Sequence, residues 1–400
     1  MSFNDIWERK KLWRSELIIL IILWCLTFIL FFATNLDIEI MRYFYIDGKW
    51  PVQYQPLWGF FYHASPIFAG IIAIGSIAFI IFASINAKYT KYRIHALFIL
   101  LSLALGAGLT VNAILKDHWG RPRPRQIREF NGNYNYTKPF VIGSETEGKS
   151  FPCGHSSVGF TYGVLWFIFR RKNKYIAITS LFGAIILGTL IGTGRMAAGG
   201  HFPSDVVWSG IIPYTISFFL YYFILNIPLR EEIAEKTTYK PVTFGIKQAA
   251  IYGCLAGIAI FSVLLATPYK RDINYKIKEF SENATLPAML SLEIEKADIL
   301  IDFDKKQSEP IIISGDATGF GLPWSKIRAI GKIHADNPST NIVYKVYKKG
   351  IFTDIESNIN ISLNPDYFNK INIKQKQGAL DIKNEKLGTK KDLEISIEKK

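Results

Sequence analysis

Three short stretches hold the side chains that could do chemistry. "KDHWGRPRPRQIREF" carries Lys116 and, seven residues on, Arg123. "PCGH" carries Cys153, Gly154 and His155. "GRMAAGGHFPSD" carries Arg195, then His201 six residues later, then Asp205 four further. Lys116, Arg123 and Arg195 are three cationic donors, and planar guanidinium groups match phosphate oxygens in a bidentate way. Gly154 lets backbone approach a ligand closely, and amides at the start of a helix there would point at a phosphate with the helix dipole behind them. Phosphoryl transfer through a covalent intermediate needs a nucleophile in line with the leaving oxygen, an acid to protonate that oxygen, and positive charge around the others. Two histidines, one carboxylate and three cations supply a candidate for every role.

Cys153 admits other readings. A cysteine phosphatase loop needs an arginine six positions after its cysteine, where this chain has Gly159. A zinc site from Cys153, His155 and His201 lacks the usual spacing and would sit among cations that repel a metal. A lone cysteine most often simply packs. Cys25 and Cys254 lie inside apolar runs, so no structural disulfide is expected. His63, His95 and His334 have no chemical company and read as structural. Arg121, Arg125 and Arg128 are expected to face headgroups or solvent, with Arg121 able to replace Arg123 if the loop slips. Each motif alone would fit an interfacial anchor or a satisfied polar residue; three together, on one side of the membrane, argue for a site.

The elements that must position these groups are apolar runs: Leu17 to Asn35, Pro66 to Ser84, Ile94 to Leu115, His155 to Phe169, Tyr175 to Thr193, Val206 to Ile227 and Ala249 to Thr267. Most approach the roughly 20 residues that a helix needs to cross a bilayer. The first follows a charged start without a small-residue cleavage site after it and is expected to be a retained anchor. With the amino terminus inside, the inner segments hold fifteen Lys and Arg against ten outside, seven of those ten in the single loop from Lys116 to Gly154. Basic residues kept against that bias need another purpose, and all three motifs fall on the same outer side.

Hydrophobic residues make up 49% of the 400, and they are too unevenly spread for two or three soluble domains. From about Leu292 the pattern turns to period two: "LEIEKADILIDFD", "PIIISGDATG", "IVYKVYKKG", "SNINISLNP", "INIKQKQGALDI" and "LEISIE". The expected fold is therefore a mainly α polytopic membrane bundle of about seven transmembrane helices, residues 1–270. A C-terminal all-β soluble domain, residues 271–400, follows as a small β-sandwich or stacked β-repeat. The latter weakly resembles bacterial adhesin-like domains and carries no catalytic cluster. A net charge of +14 suits anionic lipid surfaces and does not by itself indicate nucleic acid.

Lys116-x6-Arg123-Pro124, Pro152-Cys153-Gly154-His155 and Gly194-Arg195-x5-His201-x3-Asp205 together resemble the three signatures of the type 2 phosphatidic acid phosphatases, over about residues 60 to 225. The resemblance implies that His201 attacks phosphorus, Asp205 orients and charge-stabilises it, and His155 protonates the departing alcohol. Lys116, Arg123 and Arg195 would hold the phosphate with no metal and no cofactor. Cys153 and Gly194 stand where the family has serines, a change that activity is expected to survive. Cys153 would offer its backbone N–H and a modest thiol contact to the phosphate. The implied substrates are lipid phosphates such as phosphatidic acid, phosphatidylglycerophosphate, undecaprenyl pyrophosphate or lipid A, the last pyrophosphate and lipid A being favoured because both present phosphate on the outer face. The implied location is a bacterial inner membrane, with the active site and C-terminal domain on the periplasmic or extracellular side. The competing readings are a lipid-to-lipid phosphotransferase and an inactive membrane anchor for a β-domain that binds a surface partner.

Overall fold

The computed structural model describes residues 12–132, 134–143, 148–235, 267–277, 286–336, 339–378, 380–383 and 394–399, together with Cys254, Gly257, Phe261 and Leu264. The chain divides into two compact units, Met1–Val263 and Leu264–Lys400.

The described part of the first unit is helical: α1 (Leu12–Ala33), a short α2 (Leu36–Arg42), α3 (Pro56–Ile85), α4 (Thr90–His118), α5 (Gly154–Thr161), α6 (Val164–Phe169), α7 (Lys174–Ala197), α8 (Pro203–Phe219) and α9 (Ile227–Glu235). Five of these are long and apolar enough to cross a membrane, α8 being extended to Ile224 by a wide last turn. They coincide with five of the seven apolar runs. The fourth run folds as α5 and α6, broken at Tyr162 and Gly163, and neither piece alone spans a bilayer. The seventh run, Ala249 to Thr267, lies almost wholly outside the described residues.

Local chemistry explains the helix ends. Pro56 and Pro203 open α3 and α8, where a missing N–H costs nothing. The Asn173 side chain accepts the Tyr175 and Ile176 amides at 3.0 and 3.2 Å and starts α7. Ile18, Ile22, Leu26 and Ile29 form an exposed stripe on α1, a surface suited to lipid tails rather than water. Inside α4, residues Ser102–Leu115 adopt π-helical turns, a widening often found at functional sites. At the opposite end of the same helix His95 pairs with Glu231 of α9 at 2.7 Å, which accounts for it as a structural residue.

The described residues of the second unit form ten strands in two five-stranded sheets. One has the order β1 (Thr267–Ile277), β4 (Ile311–Gly321), β7 (Phe352–Leu363), β3 (Asp298–Phe303), β9 (Leu380–Lys383). The other has β10 (Glu394–Lys399), β8 (Phe368–Gln377), β2 (Ala288–Lys296), β6 (Ser339–Lys349), β5 (Lys326–Asp336). Inward-facing Ile, Leu, Val and Phe from both sheets make one continuous core, the sandwich expected from period-two patterning. The structure adds β1, whose Tyr269, Arg271, Ile273, Tyr275 and Ile277 alternate with polar residues well before Leu292. It also pairs β2 with β8 and β3 with β7 in parallel, a register set by long-range contacts that alternation alone does not encode.

Candidate active site

All three motifs converge at one end of the helical unit. Lys116 sits in the last turn of α4, Arg123 caps a short 3₁₀ turn after it, His155 lies in the first turn of α5, and Arg195 closes α7. His201 occupies the tight connection to α8, whose first turn holds Asp205. Lys116, Arg123 and Arg195 are 6%, 3% and 1% exposed, and His201 and Asp205 are fully buried, so this end of the unit concentrates charge where water is excluded.

The state of His201 follows from its neighbours. Its Nδ1 donates to the Ser150 carbonyl at 2.6 Å, and a carbonyl only accepts, so the proton belongs on Nδ1 and Nε2 carries the lone pair. Nε2 is buried and has no hydrogen-bond partner among the described residues. Burial, and then Arg195, Arg123 and Lys116, hold the His201 pKa well below its ordinary value. The three cations are buried at the same end of the unit as this imidazole.

Asp205 stands one step behind. Its Oδ2 accepts the Ser150 hydroxyl at 2.6 Å and the Phe202 amide at 2.7 Å, and its Oδ1 accepts Arg121 Nη1 at 2.5 Å. The distance from Oδ2 to His201 Nδ1 is 3.7 Å. The imidazole is thus oriented directly by Ser150, with the carboxylate positioned behind that same residue. The reach of Asp205 back to the Phe202 amide also caps α8 and places negative charge at its positive end.

Arg121 departs most from expectation. It does not face headgroups or solvent: it is fully buried, its Nη2 bonds Asp37 Oδ2 at 2.8 Å, its Nη1 bonds Ser204 Oγ at 2.8 Å as well as Asp205, and its Nε bonds the Thr137 carbonyl at 2.8 Å. Its guanidinium lies 4.5 Å from the Phe202 ring centroid. Asp37, from α2, also accepts the Ser204 amide and hydroxyl at 2.8 and 2.6 Å and the Tyr136 hydroxyl at 2.9 Å. Two buried carboxylates therefore share one guanidinium, with their remaining lone pairs satisfied by neutral donors. Arg128 is exposed and Arg125 partly buried, its amide bound to the Gly199 carbonyl at 3.2 Å.

On the other side of the site Tyr62 of α3 lies under Arg195, 4.3 Å from ring centroid to guanidinium carbon, and 6.5 Å from the His155 ring at an interplanar angle of 28°. A Cβ at Gly154 would stand 1.9 Å from Asn112 Oδ1 of α4, so a larger residue there would displace the Asn112 side chain. A Cβ at Gly194 would stand 3.0 Å from the Trp58 carbonyl and 3.1 Å from the Tyr62 amide. A serine at 194 would thus press on the α3 backbone, and the glycine accommodates the close approach of that helix.

Cys153 needs a correction. Its N–H donates to the Asp205 carbonyl at 3.1 Å and is not offered to a phosphate. Its side chain is fully buried in an apolar cluster with Met41, Ile127, Phe130, Met196, Phe202 and Val206. Burial pushes the thiol up to about 11, against the pull of Arg195, the Ser156 amide and Lys116. Among the described residues no group of three or more His, Cys, Asp or Glu side chains is arranged to hold a metal ion.

Asp37, Tyr62, Asn112 and Ser150 were not singled out in the sequence. Asp37 in "TNLDIEI" and Tyr62 in "FFYHAS" belong to no spaced motif, and only the tertiary fold brings them to the site. Ser150 lies two residues before "PCGH", and that adjacency was its one available signal.

The pattern of the PAP2 superfamily matches residues 95–228. The chain is similar to a lipid A 4'-phosphatase of Francisella tularensis subsp. novicida, 36% identical over 192 residues that cover 47% of this chain and 85% of that protein. It is also similar to lipid A 4'-phosphatases of Rhizobium leguminosarum, 33% identical over 30% of this chain and 52% of that one, and of Rhizobium etli, 33% identical over 26% and 40%.

Proposed function

The chain belongs to the PAP2 superfamily as a membrane-embedded lipid phosphate phosphatase, and from that premise we propose that it removes the 4'-phosphate of lipid A through a phosphohistidine on His201, without a metal. The observation that carries this reading is the His201 imidazole itself. Nδ1 is committed to Ser150, Nε2 is buried and unpartnered among the described residues, and Lys116, Arg123 and Arg195 are buried at the same end of the unit. A neutral imidazole with its lone pair unpartnered, at the same end as phosphate-binding cations, is what an in-line attack on phosphorus requires.

In the first step Nε2 bonds to phosphorus as the bond from phosphorus to the sugar oxygen breaks, and His155 gives its proton to that oxygen. In the second, water attacks the phosphohistidine and returns a proton to His155, while the N–P bond breaks and inorganic phosphate leaves. Lys116, Arg123 and Arg195 hold the non-bridging oxygens, with Arg195 braced on Tyr62. The positive charge that the phosphorylated ring acquires is offset by Asp205 behind Ser150. Lipid A is favoured over other lipid phosphates because the relatives to which this chain is similar are named for it. We place the active site and the C-terminal domain, from about residue 271, on the periplasmic face of an inner membrane, supported by the basic bias of the opposite loops.

The test is to incubate the purified chain with lipid A in detergent and EDTA, following loss of one phosphate by mass spectrometry and trapping the enzyme in acid and in alkali. An acid-labile, alkali-stable phosphoenzyme is expected, and His201→Ala should lose both adduct and turnover, the latter by roughly 10⁴-fold or more. Activity abolished by EDTA and restored by zinc or magnesium rejects the metal-free mechanism. Turnover of phosphatidic acid with none of lipid A rejects the substrate.

A further inference from the structure

The β unit has two different ends. The connections β2 to β3, β4 to β5, β6 to β7 and β8 to β9 all cross between the sheets at one end, and β1 begins there too, since Thr267 pairs with Gly321 and Gly321 with Phe352. Two of these crossings pack side by side. The Leu322 amide donates to the Ile351 carbonyl at 3.0 Å, the Ser325 hydroxyl donates to that carbonyl at 2.7 Å, and the Ile351 amide donates to the Ser325 hydroxyl at 3.0 Å. Gly350, at φ +108°, has room for no side chain, because a Cβ would meet Ser325 Oγ at 2.7 Å. The two loops therefore form one braced tip.

That tip displays apolar groups that a soluble surface would hide. Trp324 is 61% and Ile351 54% exposed, with Pro323 exposed beside them. Lys326, Lys348 and Lys349 are exposed around them, Lys326 standing opposite Lys349 in the β5–β6 register. Glu295, beside Lys348, is occupied, accepting the Lys348 amide at 2.9 Å and pairing with Lys376 at 3.6 Å. Tryptophan rimmed by lysine is the composition found where protein meets lipid headgroups.

We propose that this tip is a membrane-docking surface whose partner is an anionic lipid headgroup layer, with Trp324 and Ile351 entering the interface and the three lysines meeting lipid phosphates. Two observations select lipid over a protein partner. The charge of the rim complements an anionic bilayer. In addition, β1 starts at this same end, and its first residue closes the apolar run Ala249 to Thr267, which the sequence marks as a candidate membrane crossing and so as a tether to a bilayer. The inference goes beyond the catalytic reading and does not depend on it.

Spin labels at Ile351→Cys and, as a control on the opposite end, Ser308→Cys test this in the full chain carrying Cys25→Ser and Cys254→Ser. Accessibility to oxygen and to a water-soluble nickel chelate is read in nanodiscs containing phosphatidylglycerol. The label at 351 should be oxygen-accessible and shielded from nickel, and the label at 308 should behave as in water. Combining Lys326→Glu, Lys348→Glu and Lys349→Glu should lower the docked-to-free ratio at least about a hundredfold, since each lysine near an anionic surface contributes roughly fivefold. Equal nickel access at both labels overturns the proposal. Shielding that persists in a lipid-free amphipol also overturns it, because a protein surface would then be covering the tip.

Discussion

The helical unit and the β unit bury different things. Among the described residues of the β unit no charged side chain is buried, and its core is built from residues such as Ile273, Leu290, Phe303 and Ile361. The helical unit buries Asp37, Lys116, Arg121, Arg123, Arg195, His201 and Asp205 at one end. Burying a charge is costly unless it is paired and hydrogen-bonded, and six of these seven side chains, all but the neutral His201, are charged groups gathered in one place. The β unit follows the local rules of packing throughout. The helical unit breaks them at the end where the three motifs meet, and that departure supports reading this end as the site.

The largest effect among the remaining tests separates acid from nucleophile. His155→Ala should reduce turnover of lipid A by about 10²- to 10⁴-fold, the usual contribution of a general acid. An aryl phosphate with a good leaving group should recover much of that loss in His155→Ala and none in His201→Ala. Equal responses of the two variants to leaving-group acidity would mean that the buried and the partly exposed histidine do not divide the work as drawn here.

Next in size is Asp37→Asn, which keeps the shape of the side chain and leaves Arg121 with a single carboxylate. Breaking a buried ion pair typically costs about 3–5 kcal/mol. The matching change in the β unit, Glu293→Gln, removes an exposed pair with Lys345 at 2.6 Å and should cost no more than about 1 kcal/mol. Thermal unfolding of both variants measures this contrast directly. Asp37→Asn should also lower kcat by about tenfold or more with little change in KM, because Asp205 and Ser150 are held through Arg121 rather than by substrate. Equal stability losses in the two variants would break the comparison between the units.

How much of this the sequence disclosed depended on the range of the interaction. The apolar runs, the period-two strands and the spacing of Lys116, Arg123, His155, Arg195, His201 and Asp205 are local patterns, and the structure brings those six residues to one end of the helical unit. Arg121 was misread because "RPRPR" presents equivalent arginines whose separate fates are decided by partners 84 residues away in the chain, Asp37 on one side and Asp205 on the other. Ser150 was passed over because its contribution is a backbone carbonyl, which no side-chain pattern reveals. The parallel pairs of the β unit were equally out of reach, since many alternating strands could have paired in other orders.

The smallest effect on turnover is expected at Cys153, the site position that most resembles a β-core residue. Its thiol is enclosed by Met41, Ile127, Phe130 and Phe202, and its N–H is already given to Asp205. Cys153→Ser should therefore change turnover by no more than about threefold, yet lower stability by about 1–3 kcal/mol, the cost of enclosing a hydroxyl that lacks a good partner. Alkylation supplies the second half of the argument. A thiol pushed up to about 11 holds almost no thiolate at neutral pH, so its reaction with iodoacetamide should be slow there and should accelerate as pH rises toward that value. Once formed, the adduct should still inhibit, because the Cys153 backbone holds the Asp205 carbonyl and His155 lies two residues on, so a bulky group there would displace both. Inhibition alone would tempt one to assign chemistry to the cysteine, and the serine variant separates the two cases. A phosphoenzyme that persists in Cys153→Ser and vanishes in His201→Ala keeps the nucleophile among the buried charges. The reverse pattern would move it into the apolar cluster and erase the distinction between the parts of this unit that pack and the part that reacts.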